Sequence, residues 1–198
     1  ISSAASDVYK RQKEHKELWE RDLAFFWPNM QVLPFPITER VEFTTVARSL
    51  EGQGAQMRAL SMLAWNRPVV VIATIEEATQ YVVSPQYVIS QSVHLEVSQS
   101  IERDELLEKL VKIGYERVDQ VEQRGHFSVR GDIFDIFPVN SDDPIRMEFF
   151  GDEIDTMRHF SVDTQRSIET VDSYTVTPFF LTSDDADSTL LSYAKDGL

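Results

Sequence analysis

The spacing of apolar residues in the first half of the chain predicts a piece of a helix-covered parallel sheet. Trp19, Leu23 and Phe26 recur at helical spacing, which favours a first helix. The unbroken β-branched run Val69–Ala73 is typical of a strand that is buried on both faces of a parallel sheet. The remaining elements predicted in this half are a strand at Gln31–Phe35 and helices at Thr44–Trp65 and Glu76–Val83.

The second half has the pattern of one helix followed by an antiparallel sheet. The helix is predicted at Ile101–Ile113, with Ser100 as its N-cap and Gly114 just past its end. Short connections such as Gly151–Asp152 favour hairpins between the strands. Val93–Val97 alternates cleanly and is expected to open this unit. The later strands are predicted at Glu116–Val121, His126–Phe137, Ile145–Phe150 and Ile154–Val162.

These patterns divide the chain into segments and predict an α/β part followed by an α+β part. Residues 1–12 lack apolar periodicity and are expected to be a disordered or non-native leader. Residues 13–92 would form a partial α/β module, and residues 93–180 a small α+β domain whose antiparallel sheet packs on a helix. Residues 181–198 contain the acidic run SDDADS and are expected to be a ragged end.

Composition narrows the classes of function. The formal net charge of −14, with 19 basic against 33 acidic residues, predicts little direct binding to a nucleic-acid backbone. The absence of cysteine excludes disulfides and thiolate metal sites. No apolar run reaches the roughly 20 residues needed to cross a bilayer. The N-terminus also lacks the layout of a signal peptide, so a cytoplasmic location without membrane contact is expected.

No group of residues predicts catalysis. None of the seven glycines is followed by lysine, so there is no phosphate-binding loop of the Walker type. The four histidines are scattered without metal-ligand spacing. Adjacent acids such as Asp142–Asp143 are typical of solvated turns. The chain is therefore expected to have no enzyme activity, cofactor or metal of its own.

Strand alternation sorts the block from 127 to 150 into two faces. The residues predicted to face the core are Phe127, Val129, Ile145, Met147 and Phe149. The residues predicted on the opposite face are Arg130, Arg146, Glu148 and Phe150, which Arg117 would join from the preceding strand. An ordinary solvated face, with a cross-strand ion pair contributing about 0.2–1 kcal/mol, is the interpretation that the pattern alone favours. Arginine beside an exposed aromatic residue is also typical of a protein-binding hot spot.

Several motifs in the second half carry a family resemblance. They are GYERV (114–118), GxFxVRGD (125–132), DIFP (135–138), IRxEFFGDEI (145–154) and DxQRS (163–167). Together they resemble domain 2 of the bacterial transcription-repair coupling factors, a module that also occurs in the excision-repair subunit UvrB. The resemblance covers roughly Val93–Pro178. More weakly, Trp27–Val83 resembles the degenerate helicase-type α/β module of the same family, of which residues 13–92 would be a truncated copy.

The resemblance implies a docking function. In this family the module binds UvrA and so recruits nucleotide excision repair to RNA polymerase that has stalled at a lesion. Ser128 stands where UvrB has a further arginine, which puts that one contact in question. The ATP and magnesium sites and the contacts with polymerase and double-stranded DNA belong to other domains of the full-length proteins, which are ATP-dependent DNA translocases. By motif position, and by the outer-face pattern for the last of them, the UvrA-binding residues here would be Arg117, Arg130, Arg146, Glu148 and Phe150.

Two other functions remain open on the sequence. A fragment of UvrB would contribute to damage recognition on DNA, and an intact Walker loop upstream would distinguish it from a coupling factor. An unrelated hydrolase with carboxylate chemistry would need two acids that converge in a pocket.

Overall fold

A computed structural model describes residues 15–23, 25–37, 50–179 and 186–195 of the chain. These residues form two compact units. The first contains the described residues up to Gln86 together with 186–195, and the second runs from Tyr87 to 179. The leader predicted at residues 1–12 and the start of the helix predicted at Thr44–Trp65 lie outside the described residues.

The first unit combines helices with two small sheets. Strands β1 (Gln31–Pro34) and β2 (Val69–Ile72) pair in parallel, as the β-branched run predicts, but β2 is half-buried along its length and not buried on both faces. Pro34 ends β1, which agrees with proline lacking the N–H that a continuing ladder needs. Strand β3 (Tyr81–Val83) pairs antiparallel with β12 (Ala186–Thr189). The helices are α1 (residues 15–23 and 25–26), α2 (Leu50–Ala64), α3 (Ile75–Thr79) and α6 (Leu190–Lys195).

Two predictions for this unit are wrong. The helix predicted at Glu76–Val83 stops at Thr79, because Gln80 is extended and the β-branched Val82 and Val83 continue as strand β3. The ragged end predicted for residues 181–198 instead contains β12 and α6. Tyr193 of α6 is buried, and its hydroxyl donates to the carbonyl of Val83 at 2.7 Å. The assignment of this unit to a truncated helicase-type module stays a prediction.

The second unit is an α+β domain built on a six-stranded sheet. Its order is β10-β9-β8-β7-β6-β5, antiparallel throughout except for the edge strand β5, which runs parallel to β6. The strands are β5 (Glu116–Arg117), β6 (His126–Arg130), β7 (Ile133–Ile136), β8 (Ile145–Phe150), β9 (Glu153–Phe160) and β10 (Ser167–Thr170). Strands β4 (Val93–Glu96) and β11 (Ser173–Val176) form a separate antiparallel pair. Helix α4 (Pro85–Gln91) lies at the boundary between the two units.

The predicted long strand His126–Phe137 is interrupted by a tight turn. Gly131 has φ of 62°, in the left-handed region that favours glycine, and the chain reverses there from β6 into β7. The hairpin places Val129 opposite Phe134. The strand predicted at Glu116–Val121 is also shorter, since only the two residues of β5 pair with β6.

Helix α5 (Arg103–Lys112) confirms the predicted helix with a later start. Its N-cap is Glu102, which makes no side-chain capping hydrogen bond, and not Ser100. Ser100 instead forms a bridge with Glu153, and the N–H of Ile101 donates to the carbonyl of Asp152 at 2.8 Å. These contacts hold both residues extended, so the helix begins after them. Gly114 follows the helix with φ of 95°, as expected for a residue past a helix end.

Aromatic rings form the core on one face of the sheet, which we call the inner face. The rings of Phe127 and Phe134 stack with centroids 5.8 Å apart, and Phe149 lies 6.2 Å from Phe134. Leu106 and Leu110 of α5 are completely buried. Helix α5 contacts the sheet at its edge strand β5.

Candidate partner-binding face

Alternation along β8 separates buried from accessible residues as predicted. Ile145, Met147 and Phe149 are buried on the inner face. Arg146 and Glu148 are half-buried on the opposite side, and Phe150 is 84% exposed. We call this opposite side of β6–β9 the outer face.

Cross-strand register aligns the outer face into two rows. One row runs across the sheet through Ser128, Asp135, Arg146 and Arg158. The next row runs through Arg130, Ile133, Glu148 and Thr156. Side chains directly opposite each other on one sheet face are close enough to interact. The register therefore brings the predicted residues Arg130, Arg146 and Glu148 together on the same face as Phe150.

The centre of the outer face is a buried carboxylate held between two arginines. The side chain of Asp135 is only 1% exposed. Arg146 donates to it from both Nε and Nη2, at 2.7 and 2.8 Å, in a bidentate pair. Arg130 donates from Nη2 at 2.9 Å. The hydrogen bonds that the Arg146 guanidinium donates to the Asp135 carboxylate raise the pKa of the guanidinium, although burial acts in the opposite direction.

Arg146 is enclosed by further contacts. Its guanidinium carbon lies 4.3 Å from the centroid of the Phe160 ring, a cation–π geometry. Its Nη2 also donates to Oε1 of Gln165 at 3.1 Å. Only 14% of the Arg146 side chain remains exposed. The hydrogen bonds and the ring fix this side chain in one position on the face.

Glu148 belongs to a second ion pair on the same face. Arg158 donates from Nη2 to Oε1 of Glu148, and the Thr156 hydroxyl lies 3.5 Å from the other carboxylate oxygen. Glu148 is 38% exposed, so part of its carboxylate remains accessible. The Arg130 side chain is 49% exposed. A partner approaching this face would therefore reach Arg130, Phe150 and part of Glu148 more easily than Arg146.

Arg117 does not lie with the other predicted site residues. Because β5 runs parallel to β6, the register aligns Arg117 with Phe127, an inner-face residue, and not with Arg130. The prediction that Arg117 shares the outer face is wrong for this reason. Arg117 instead lines an open pocket of ≈ 520 Å³ beside α5, whose other lining residues are Glu102, Arg103, Asp104, Leu107, Val129 and Asp152.

The outer face contains residues that the sequence reasoning missed. Asp135 and Arg158 complete the two ion-pair groups, and Phe160 supports Arg146. Asp135 was detectable in principle, because it is the one charged residue of β7 and alternates with the core residue Phe134. Ser128 is also on this face, but it is buried and its hydroxyl makes no hydrogen bond with any residue that the structure describes.

The described residues contain no group of three histidine, cysteine or acidic side chains that could hold a metal ion. Across the same ranges, no helix is long and apolar enough to span a membrane. On the outer face, Asp135 and Glu148 are each paired with arginine.

Comparisons with known proteins give consistent matches. The family model of the UvrB interaction domain matches residues 93–180. A transcription-repair-coupling factor of Bacillus subtilis (strain 168) is 33% identical over 157 residues, which are 79% of this chain and 13% of the relative. The same protein of Staphylococcus aureus (strain bovine RF122 / ET3-1) is 34% identical over 170 residues, 83% of this chain and 14% of the relative. That of Mycobacterium bovis is 35% identical over 150 residues, 73% and 12% respectively. The matches span about an eighth of the length of these curated relatives.

Proposed function

The chain belongs to the family of the transcription-repair-coupling factors, with a UvrB interaction domain at residues 93–180, and we propose that it docks UvrA through the outer face of that domain. In the full-length relatives this contact would recruit nucleotide excision repair to stalled RNA polymerase. The chain itself would act as a docking module without catalysis. ATP and magnesium binding, DNA translocation and the polymerase contact would belong to other parts of the full-length protein. The first unit would be a truncated helicase-type module, which the parallel pair β1–β2 beside α2 supports.

The observation that carries the proposal is the exposure of Phe150 on a face that also presents arginine. Phe150 is 84% exposed, although the same strand buries Phe149. Arg130 is half-exposed on the neighbouring row. Aromatic and arginine side chains dominate the binding energy of protein interfaces, because both bury a large area and arginine adds directional hydrogen bonds.

The charge pattern indicates what a partner surface should offer. A carboxylate would pair with Arg130, whose guanidinium is planar and suits bidentate contacts. An apolar pocket would take the Phe150 ring and remove it from water. The chain as a whole carries a net charge of −14, so basic residues around such a pocket would favour association.

A titration of purified chain against UvrA tests the proposal. Arg130→Ala and Phe150→Ala should each raise the Kd about fivefold or more, which corresponds to about 1 kcal/mol. The matched controls are Lys112→Ala, which removes the same charge from α5, and Val111→Ala, which trims an exposed apolar side chain of that helix. Both controls should bind as the wild type does. Equal affinities for all five proteins would refute the assignment of the face.

The variant Arg117→Ala tests whether the proposed contact with UvrA extends around the edge of the sheet. The family motif includes this position, whereas the structure places it beside α5. If UvrA contacts only the outer face, Arg117→Ala should bind UvrA like the controls. A loss equal to that of Arg130→Ala would show that the interface also covers the β5 edge.

The alternatives are supported less well. The three relatives described above are transcription-repair-coupling factors, which favours that family's role over damage recognition by a UvrB fragment. A carboxylate hydrolase would place Arg130, Arg146 and Glu148 around a closed cavity. Instead, Arg130 and Glu148 lie partly exposed on an open sheet face.

A further inference from the structure

We propose that Asp135 is the positioning residue of the outer face, which holds Arg130 in place for a carboxylate of UvrA and anchors Arg146 below the surface. This inference rests on the proposed function, since it concerns how the same face meets its partner. It assigns different roles to two arginines that the sequence pattern treats as equivalent.

Asp135 is almost completely buried although it belongs to the outer face. Its carboxylate is 1% exposed and receives three hydrogen bonds from guanidinium groups. A buried carboxylate is stable only when it is paired and hydrogen-bonded, so both arginines are held to this point. Asp135 is thus a fixed element of the domain and has almost no surface to offer a partner.

The two arginines differ in what they have left to offer. Arg146 donates hydrogen bonds from Nε and Nη2 to Asp135 and from Nη2 also to Gln165, and its guanidinium stacks on the Phe160 ring. Arg130 donates to Asp135 from Nη2 only, and its Nε and Nη1 bond to no residue that the structure describes. It is also far more exposed than Arg146. Arg130 is therefore the contact residue, and Arg146 secures the carboxylate that holds it.

Restraint of Arg130 has a consequence for binding. A long free side chain loses rotamer freedom when it is immobilised at an interface, and this loss weakens association. Asp135 removes part of that freedom before the partner arrives. The group of two guanidiniums and one carboxylate also keeps a net positive charge, which an otherwise acidic chain needs in order to attract a partner carboxylate.

A double-mutant cycle with UvrA tests the inference. Asp135→Asn keeps the size and one acceptor oxygen but removes the charge. It should weaken binding about three- to tenfold in the wild-type background and less than about twofold in the Arg130→Ala background, because coupled residues are not additive. Thermal unfolding of each variant checks that the fold persists. An equal loss in both backgrounds would overturn the inference, since Asp135 would then act independently of Arg130.

A second measurement uses the unaltered chain and so does not depend on the folding of a variant. NMR exchange between the Nη groups reports rotation of each guanidinium. Arg130 and Arg146 should rotate more slowly than the exposed Arg166, because both are bonded to Asp135. Rotation of Arg130 as fast as that of Arg166 would contradict the positioning role. If the chain fails to bind UvrA at all, the proposed function fails, while this measurement still decides whether Asp135 restrains Arg130.

Discussion

The two faces of the six-stranded sheet are made by alternate residues of the same strands, yet they hold different contacts. On the inner face, Phe127, Phe134 and Phe149 pack ring against ring without access to water. On the outer face, arginines pair with carboxylates and Phe150 is left exposed. Strand alternation thus separates the residues that stabilise the domain from those proposed to bind a partner. Asp135 is the exception, because it is buried on the face assigned to recognition.

The largest effect on stability is expected on the inner face. Phe134→Ala removes a completely buried ring that contacts two others, so the free energy of unfolding should fall by about 3–5 kcal/mol. Urea denaturation followed by fluorescence or circular dichroism would measure the change. A loss below about 1 kcal/mol would mean that this face does not form the core of the unit.

An intermediate loss of stability is expected from substitution of Arg146, an outer-face residue whose side chain is largely buried. Arg146→Ala removes two of the three hydrogen bonds to Asp135, which should cost about 1–3 kcal/mol of stability. On the sequence pattern alone, Arg146 would lie on a solvated face, and its removal would cost only the roughly 0.2–1 kcal/mol of a cross-strand ion pair. Comparing the denaturation of Arg146→Ala with that of Lys112→Ala distinguishes these two expectations. Equal free energies of unfolding for Arg146→Ala and Lys112→Ala would mean that the inner face alone stabilises the domain.

The smallest effects on stability belong to the accessible outer face. Phe150→Ala should change the free energy of unfolding by no more than about 0.5 kcal/mol, as is usual for surface positions. Arg130→Ala removes one of the three hydrogen bonds to buried Asp135 and should cost about 0.5–1.5 kcal/mol. The same denaturation experiment applies. A large loss from Phe150→Ala would indicate that the ring packs within the domain, and its role in docking would have to be abandoned.

Alternation predicts the faces of β6 and β8 correctly because the two-residue period of side-chain direction is fixed by the strand itself. It could not predict the side on which Arg117 lies, since β5 is only two residues long and its face depends on the register of its parallel pairing with β6. Alternation also could not predict the burial of Asp135, because that burial depends on the register between strands. Likewise, β12 pairs with a strand about a hundred residues earlier, and no local pattern encodes such a contact.

The prediction of helix α5 from local sequence is limited in a similar way, over a shorter stretch of chain. The apolar period and the following Gly114 locate α5 and its end. Ser100 has a favourable residue type for an N-cap, but its bridge to Glu153 takes precedence. Local propensity is overridden here by a tertiary contact, as it is at Gln80, where helix α3 gives way to β3.

The most direct test of the account is the double variant Arg130→Ala/Phe150→Ala, titrated with purified UvrA and unfolded in parallel. The outer face is proposed to bind UvrA while the inner face holds the domain together. The variant should therefore unfold within about 2 kcal/mol of the wild type and bind UvrA at least about tenfold more weakly. Wild-type affinity from a folded double variant would contradict the claim that this face docks UvrA.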